Sequence, residues 1–227
     1  MFWNEDKKTE KFEIPDDIID LSFAIKCKCL PIEHMQPLSQ ELYQALPWLE
    51  DEALAGIHPI YGAESGNGWE RPSDPDELLY FSRRQKMTLR LPKERIEHAE
   101  QLVGQTLNVA GYELEIGKST IKKLSDLPTV FCRTILTPEQ MDENDFLQWA
   151  FEELKRLDIS VRKMLAGKER VFTLSDGTHD RTRSLMIAEL DQAESVRIQQ
   201  HGMGEGRKLG YGLFMPQKDI KAVNSDD

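Results

Sequence analysis

Twice along this chain of 227 residues the apolar pattern runs strand, helix, strand, strand, helix, strand. That order predicts an α+β protein of two tandem ferredoxin-like (RRM-like, βαββαβ) domains. A polar stretch at Lys122–Pro128 separates the two runs. The expected domains are therefore residues 1–124 and 125–227. The third observation is a C-terminal glycine-rich loop, Gly202–Gly212, with five glycines in eleven residues against 14 in the whole chain.

The first run opens with a strand at Leu21–Leu30, which places Phe23, Ile25, Cys27 and Cys29 on one face. Pro31–Pro37 reads as a loop carrying His34. Ser39 is placed to cap a helix that runs to about Leu49 on a stripe of Leu42, Ala45, Leu46 and Leu49. Gly56–Gly62 reads as a strand with His58 and Tyr61, and Ala63–Pro75 as a polar loop. Leu78–Ser82 and Lys86–Leu91 are strand-like. Pro92 fits the first turn of a helix ending near Gly104. Thr106–Val109 and Glu113–Ile116 flank the hairpin turn Ala110-Gly111, and Ser119–Leu124 adds a further strand.

The second run begins with a strand at Thr129–Leu136. A helix follows at Asp142–Leu157, with Phe146, Trp149, Ala150, Leu154 and Leu157 at helical spacing. Arg170–Leu174 and Ser184–Leu190 read as strands across a turn holding Asp176-Gly177. Asp191 caps a helix to about Gln200, and Leu209–Met215 is the last strand.

A turn between helix and strand needs one or two glycines, not five. Glycine allows positive φ and close approach of a second backbone. With Arg207 and Lys208 in the same loop, main-chain amides and two cations suit a phosphate chain. The other reading is a long turn that closes a sheet. The spacing fits neither the nucleotide-hydrolase loop, since Lys208 precedes Leu209, nor the dinucleotide fingerprint, since this loop opens a strand.

Composition excludes several classes. No apolar run approaches the roughly 20 residues of a membrane span. Three cysteines, an odd number, do not make a disulfide framework, and the start Met1–Glu10 has no apolar signal segment, so a cytoplasmic setting is expected. No second cysteine pair joins Cys27 and Cys29 to make a zinc site. The net charge of -11 argues against a general nucleic-acid binder. The bases nevertheless cluster. Arg83, Arg84, Lys86, Arg90, Lys93 and Arg95 face only Glu94, and Lys155, Arg156, Arg162, Lys163, Lys168 and Arg170 face only Asp158 and Glu169. A local basic surface on an acidic protein, or ordinary solvated faces, both fit.

Gly202, Gly204, Gly210 and Gly212 have the spacing Gly-x-Gly-x5-Gly-x-Gly before the last strand. With tandem ferredoxin-like units, this resembles the RAMP superfamily of CRISPR systems. Leu30-Pro31-Ile32-Glu33-His34, Pro47-Trp48-Leu49, Gly56-Ile57-His58-Pro59, Leu89-Arg90-Leu91-Pro92 and Leu209–Pro216 are similar to the myxococcal-type repeat-processing endoribonucleases. The resemblance covers Leu21 to Ile220. It implies metal-independent cleavage of CRISPR precursor RNA within its repeats, with no cofactor. The RNA's 2′-hydroxyl attacks the adjacent phosphate, giving a 2′,3′-cyclic phosphate and a 5′-hydroxyl. The implied partners are a repeat RNA stem-loop and other CRISPR effector subunits, with monomer and dimer both open.

Such a reaction needs a base, an acid and cations for the phosphorane charge. His34 falls where many members of the resembled family place a catalytic histidine, and a loop position makes it accessible. His58 is the expected partner acid or base, and Tyr61 could orient the phosphate or stack a base. Of Arg83, Arg84 and Lys86, one (Arg83) is expected at the scissile phosphate and the others on the repeat backbone. Arg207 and Lys208, with Gly202, Gly204, Gly206, Gly210 and Gly212, are expected to hold RNA backbone. His98 reads as solvated helix, His179 as surface turn, and His201 as a helix end bordering the glycine loop. Two competing readings share much of this: a non-catalytic RAMP subunit that only holds guide RNA, and a protein-interaction module.

Overall fold

The computed structural model describes residues 12–62, 77–173 and 178–218. Ala63–Pro75 and Asp176-Gly177 lie largely or wholly outside them. The strands are β1 (Ile18–Lys26), β2 (Cys29–Pro31), β3 (Gly56–Ile57), β4 (Leu78–Tyr80), β5 (Lys86–Pro92), β6 (Thr106–Val109), β7 (Tyr112–Lys123), β8 (Val130–Leu136), β9 (Lys163–Ala166), β10 (Arg170–Thr173), β11 (His179–Ala188) and β12 (Met215–Pro216). The helices are α1 (Met35–Ala45), α2 (Trp48–Asp51), α3 (Ile96–Ala99), α4 (Glu143–Arg156) and α5 (Gln192–His201).

The architecture is α+β with antiparallel sheets. The first sheet has the order β3-β5-β1-β7-β6, and the second β10-β11-β8-β12, with β9 also on β11. All these pairings are antiparallel. Each sheet carries an apolar core on one face. Leu21, Phe23 and Ile25 of β1 and Met87, Leu89 and Leu91 of β5 share one core with Leu38 and Leu42 of α1. Phe146, Ala150 and Leu154 of α4 pack with Val130, Cys132, Leu185 and Ile187 in the other. Each such aliphatic or aromatic side chain contributes about 1.5–3 kcal/mol on burial. The α5 start is fixed by a reciprocal capping box between Asp191 and Glu194.

Several element boundaries differ from those expected. The strand expected at Leu21–Leu30 starts at Ile18 and breaks after Lys26, where the chain leaves β7 and pairs with β4. Ser39 does not cap α1; it is buried inside it, because the helix starts at Met35. Pro37 is tolerated there, since first-turn amides lack partners. Pro47 divides the expected helix into α1 and α2. Of Gly56–Gly62 only Gly56–Ile57 is strand, since Pro59 has no amide to donate. Ser119–Leu124 is not separate: β7 runs unbroken for 12 residues. β9 was not expected, and β11 starts earlier, at His179. Leu209–Met215 shrinks to Met215–Pro216, because Gly210 and Gly212 take φ of 83° and 68°, outside strand geometry.

The opposite face of the first sheet is polar: Asp20 and Ser22 on β1, Thr88 and Arg90 on β5, and His58 beyond β3. It does not face water. α5 and the tail of the glycine loop cover it. Arg90 is 0% exposed. Its Nε and Nη2 donate to Asp20 at 2.8 and 3.0 Å, and its Nη1 donates to the carbonyls of Gln199 and Phe214 at 2.8 and 2.9 Å. Arg90, expected in a basic surface cluster, is instead the charged centre of the seam between the two sheets.

Arg90→Met strands the Asp20 carboxylate and two carbonyls. It should cost about 3–5 kcal/mol, read as a fall in the urea midpoint. Adding Asp20→Leu should recover part of that loss.

Candidate active site

A cavity of about 400 Å³ opens where the two sheet units meet. Its first-unit wall is the segment after β2 and before α1 with the strap after β3, and includes His34, Pro59 and Tyr61. Its second-unit wall comes from β8, β10 and the glycine loop, with Phe131, Arg133, Arg170, Phe172 and Tyr211.

His34 sits at the N-cap position of α1 and lines this cavity. It is not the accessible loop histidine that was expected: it is 3% exposed. Its Nδ1–H donates to the Pro31 carbonyl at 3.0 Å, and its Nε2 accepts from the Ile60 amide at 3.2 Å. An amide only donates, so Nε2 must carry a lone pair, which fixes the neutral Nδ1–H tautomer. That lone pair is the one able to take a proton.

His58 is not brought beside His34. It does not line the cavity; it is 7% exposed, on the seam face of the first sheet. Its Nε2 lies 3.4 Å from Asp20 Oδ1. Burial pushes its pKa down, opposed by Asp20 and reinforced by Arg90 and Arg207. Burial also works to raise the Asp20 carboxyl, but Arg90 and then His58 hold it well below the usual carboxylate range. The expected pair is not assembled: His34 lines the cavity, whereas His58 is taken up by Asp20 on the seam face.

Tyr61 does line the cavity, beneath the guanidinium of Arg133, 5.0 Å from the ring centre. Arg83, Arg84 and Lys86 are exposed at the turn into β5 and do not line it. Arg83 is therefore outside the cavity that holds His34.

The glycine loop is folded on itself. Gly202, Gly204, Gly206, Gly210 and Gly212 all have positive φ. At Gly212 a Cβ would lie 2.0 Å from the Met203 carbonyl, and at Gly210 it would lie 2.6 Å from Pro59. These positions close the loop and seat it on the strap next to His34. Its amides are largely committed: Met203 to Gly212, Tyr211 to Gly206, and Gly212 to Thr134 on β8. Only the tip at Gly204 and Glu205 is exposed. Arg207 turns inward. Its Nη2 donates to the carbonyls of Leu54 and Gln200 at 3.0 and 2.9 Å, and burial, then Arg90, pull its pKa down to about 10. Lys208 donates to the Glu50 carbonyl. Both cations expected on RNA thus tie the loop to the first unit.

The sequence reading did not single out Phe131, Arg133, Phe172 or Tyr211, and it placed Arg170 only within a basic cluster. One signal was present: Phe131 and Arg133 occupy the outward positions of a strand whose inward residues are Val130 and Cys132. Tyr211 donates to Asp180 Oδ2 at 2.8 Å. Of the second basic cluster, Arg156 pairs with Glu153 and Arg162 with Glu194, while Arg170 reaches the cavity. Among the described residues no group of three or more His, Cys, Asp or Glu could hold a metal ion, and no helix is long and apolar enough to cross a membrane.

A family model described as Cas6 Crispr matches residues 19–219. The chain is 29% identical over 207 residues to a CRISPR-associated endonuclease Cas6 of Myxococcus xanthus, covering 91% of this chain and 85% of that protein. Among solved structures it is similar to a CRISPR associated protein Cas6, with a TM-score of 0.64, 12% identity, and coverage of 88% of this chain and all (100%) of that one. It is also similar to an RAMP protein binding different RNA substrates, at a TM-score of 0.57 and 13% identity over 87% and 98% of the two chains. The last two show likeness of fold.

The seam makes stability depend on pH. An unfolded imidazole takes its proton near 6.5, whereas buried His58 resists it. Below that value the unfolded chain binds more protons than the folded one, so stability is present above pH 6.5 and is lost as pH falls. Melting should fall more between pH 7.5 and 5.5 for the parent protein than for His58→Gln. Equal slopes would sink this assignment.

Proposed function

The chain belongs to the Cas6 family of CRISPR proteins, and on that premise we propose that it is an endoribonuclease that cuts CRISPR precursor RNA within each repeat. The observation that carries this reading is the cavity at the seam, which joins a buried, tautomer-fixed His34 to arginines and aromatic rings. The named relative is an endonuclease, and one protein of similar fold binds RNA.

The proposed reaction uses the RNA's own nucleophile. The 2′-oxygen attacks the adjacent phosphorus as its proton passes to His34 Nε2, which gives up the Ile60 amide. The P–O5′ bond breaks, the electron pair leaves with O5′, and that oxygen takes a proton from water, while His34 returns the proton it took to solvent. The products are a 2′,3′-cyclic phosphate and a 5′-hydroxyl. No metal ion is required, because the nucleophile is part of the substrate and His34 holds the proton. His58 is assigned to the seam rather than to proton transfer. Arg83, Arg84 and Lys86 are assigned to the repeat backbone outside the cavity, and the exposed loop tip at Gly204 and Glu205 to a further backbone contact. Aromatic rings beside arginines suit unpaired bases at the cut, with the stem held by shape.

We also read residues 1–124 and 125–227 as two ferredoxin-like domains. What supports this is the shared sheet order: β3-β5-β1-β7 in one, and β9 or β10, then β11, β8 and β12 in the other. Three free cysteines suit a reducing compartment. One observation favours a second reading, a guide-holding subunit without catalysis: backbone groups occupy both nitrogens of His34.

The two readings separate on the host's own repeat RNA in EDTA, tested beside a copy with one 2′-deoxy at the mapped cut. The endoribonuclease cuts the first and binds the second intact. His34→Ala should slow cutting about 10²–10⁴-fold. Tight binding of both RNAs without cutting would establish the guide-holding subunit.

A further inference from the structure

Among its described lining residues the cavity holds two arginines in different settings. Arg170 starts β10 and is exposed, whereas Arg133 is half-buried in the middle of β8. The Arg133 guanidinium carbon lies 5.0 Å from the centre of the Tyr61 ring and 5.9 Å from that of Phe131. Both distances fall inside the roughly 6 Å within which an aromatic face attracts a cation. Tyr61 belongs to the first unit, and Phe131 lies two residues before Arg133 on its own strand. The guanidinium is thus clamped across the seam, in the cavity that His34 lines from the other side.

Resting on the RNA cleavage proposed above, we propose that Arg133 is a catalytic residue: it receives the negative charge that builds on the scissile phosphate. As the O2′–P bond forms and the O2′ proton moves to His34, the two non-bridging oxygens gain charge. They lose it again when the P–O5′ bond breaks and its electron pair leaves with O5′. A guanidinium suits this step because its planar fork matches two phosphate oxygens at once. The two ring contacts fix where the guanidinium sits in the cavity. Holding the cation in place before reaction avoids reorganisation as the charge appears. Among the described lining residues, Arg133 and Arg170 stand against one carboxylate, Glu33. The consequence is a shared active site, with the proton acceptor from the first unit and the charge acceptor from the second. Neither unit alone would cut.

The test compares the full-length parent with Arg133→Ala and Arg133→Gln on host repeat RNA in EDTA. Single-turnover cutting and binding of the 2′-deoxy repeat are both measured. The expected result is a loss of cutting of about 10²–10³-fold, with binding of the deoxy RNA within about threefold of the parent and partial recovery of Arg133→Ala by added guanidinium ion. A guanidinium supplied in solution cannot repair a misfolded sheet, so that recovery separates chemistry from structure. Cutting within about threefold of the parent in either variant overturns the proposal. So does a joint loss of cutting and binding in both variants without guanidinium rescue. Failure of the parent itself to cut overturns the RNA-cleavage reading first, and the role of Arg133 with it.

Discussion

A guanidinium with no exposure to water constrains the rest of this molecule. Arg90 must place its donors inside protein, and it does so by reaching in two directions. Asp20 on the neighbouring strand takes two of them, and carbonyls at the end of α5 and just before β12 take the others. Buried charge is tolerated only when paired and hydrogen-bonded. The second unit therefore docks in one register on the first, the register that presents Gln199 and Phe214 to Arg90. Burial in the same seam pushes the His58 pKa down, with Arg90 and Arg207 adding to that effect and Asp20 opposing it.

The glycine loop serves the same end. Its positive φ angles fold it back, and its amides bond within the loop and to β8. Arg207 and Lys208 then fasten it to carbonyls of the first unit. A glycine-rich loop beside two cations looks like a phosphate cradle in sequence. In three dimensions most of it is a clasp between sheets, with a short exposed tip. The cavity is what remains open beside that clasp, and its shape depends on how the units dock.

The cavity combines groups that stability alone would not place together. A histidine is fixed by two backbone contacts, and an arginine lies over two rings. On the proposed reading, these contacts place both groups ahead of the RNA, which is the condition for electrostatic preorganisation. The cavity walls come from both units, so the Arg90 seam that docks the units also sets the cavity's shape. On the proposed reading, stability and cutting are coupled through the docking geometry.

The sequence by itself determined the two runs of strands and helices, the Asp191 cap, the Ala110-Gly111 hairpin and the glycine loop's need for positive φ. These rest on local preferences: side-chain periodicity, capping oxygens and the freedom of glycine. It also singled out His34 and Tyr61. The tertiary structure decided which polar faces meet water. Asp20, Arg90 and His58 alternate with apolar residues as a solvated strand face would, and the docking of α5 and the tail of the glycine loop covers them. Arg133, Phe131 and Phe172 lie far in sequence from His34, so no local pattern could join them to it. Burial and proximity between distant segments are set by which surfaces pack, and periodicity along one segment carries no information about its partner.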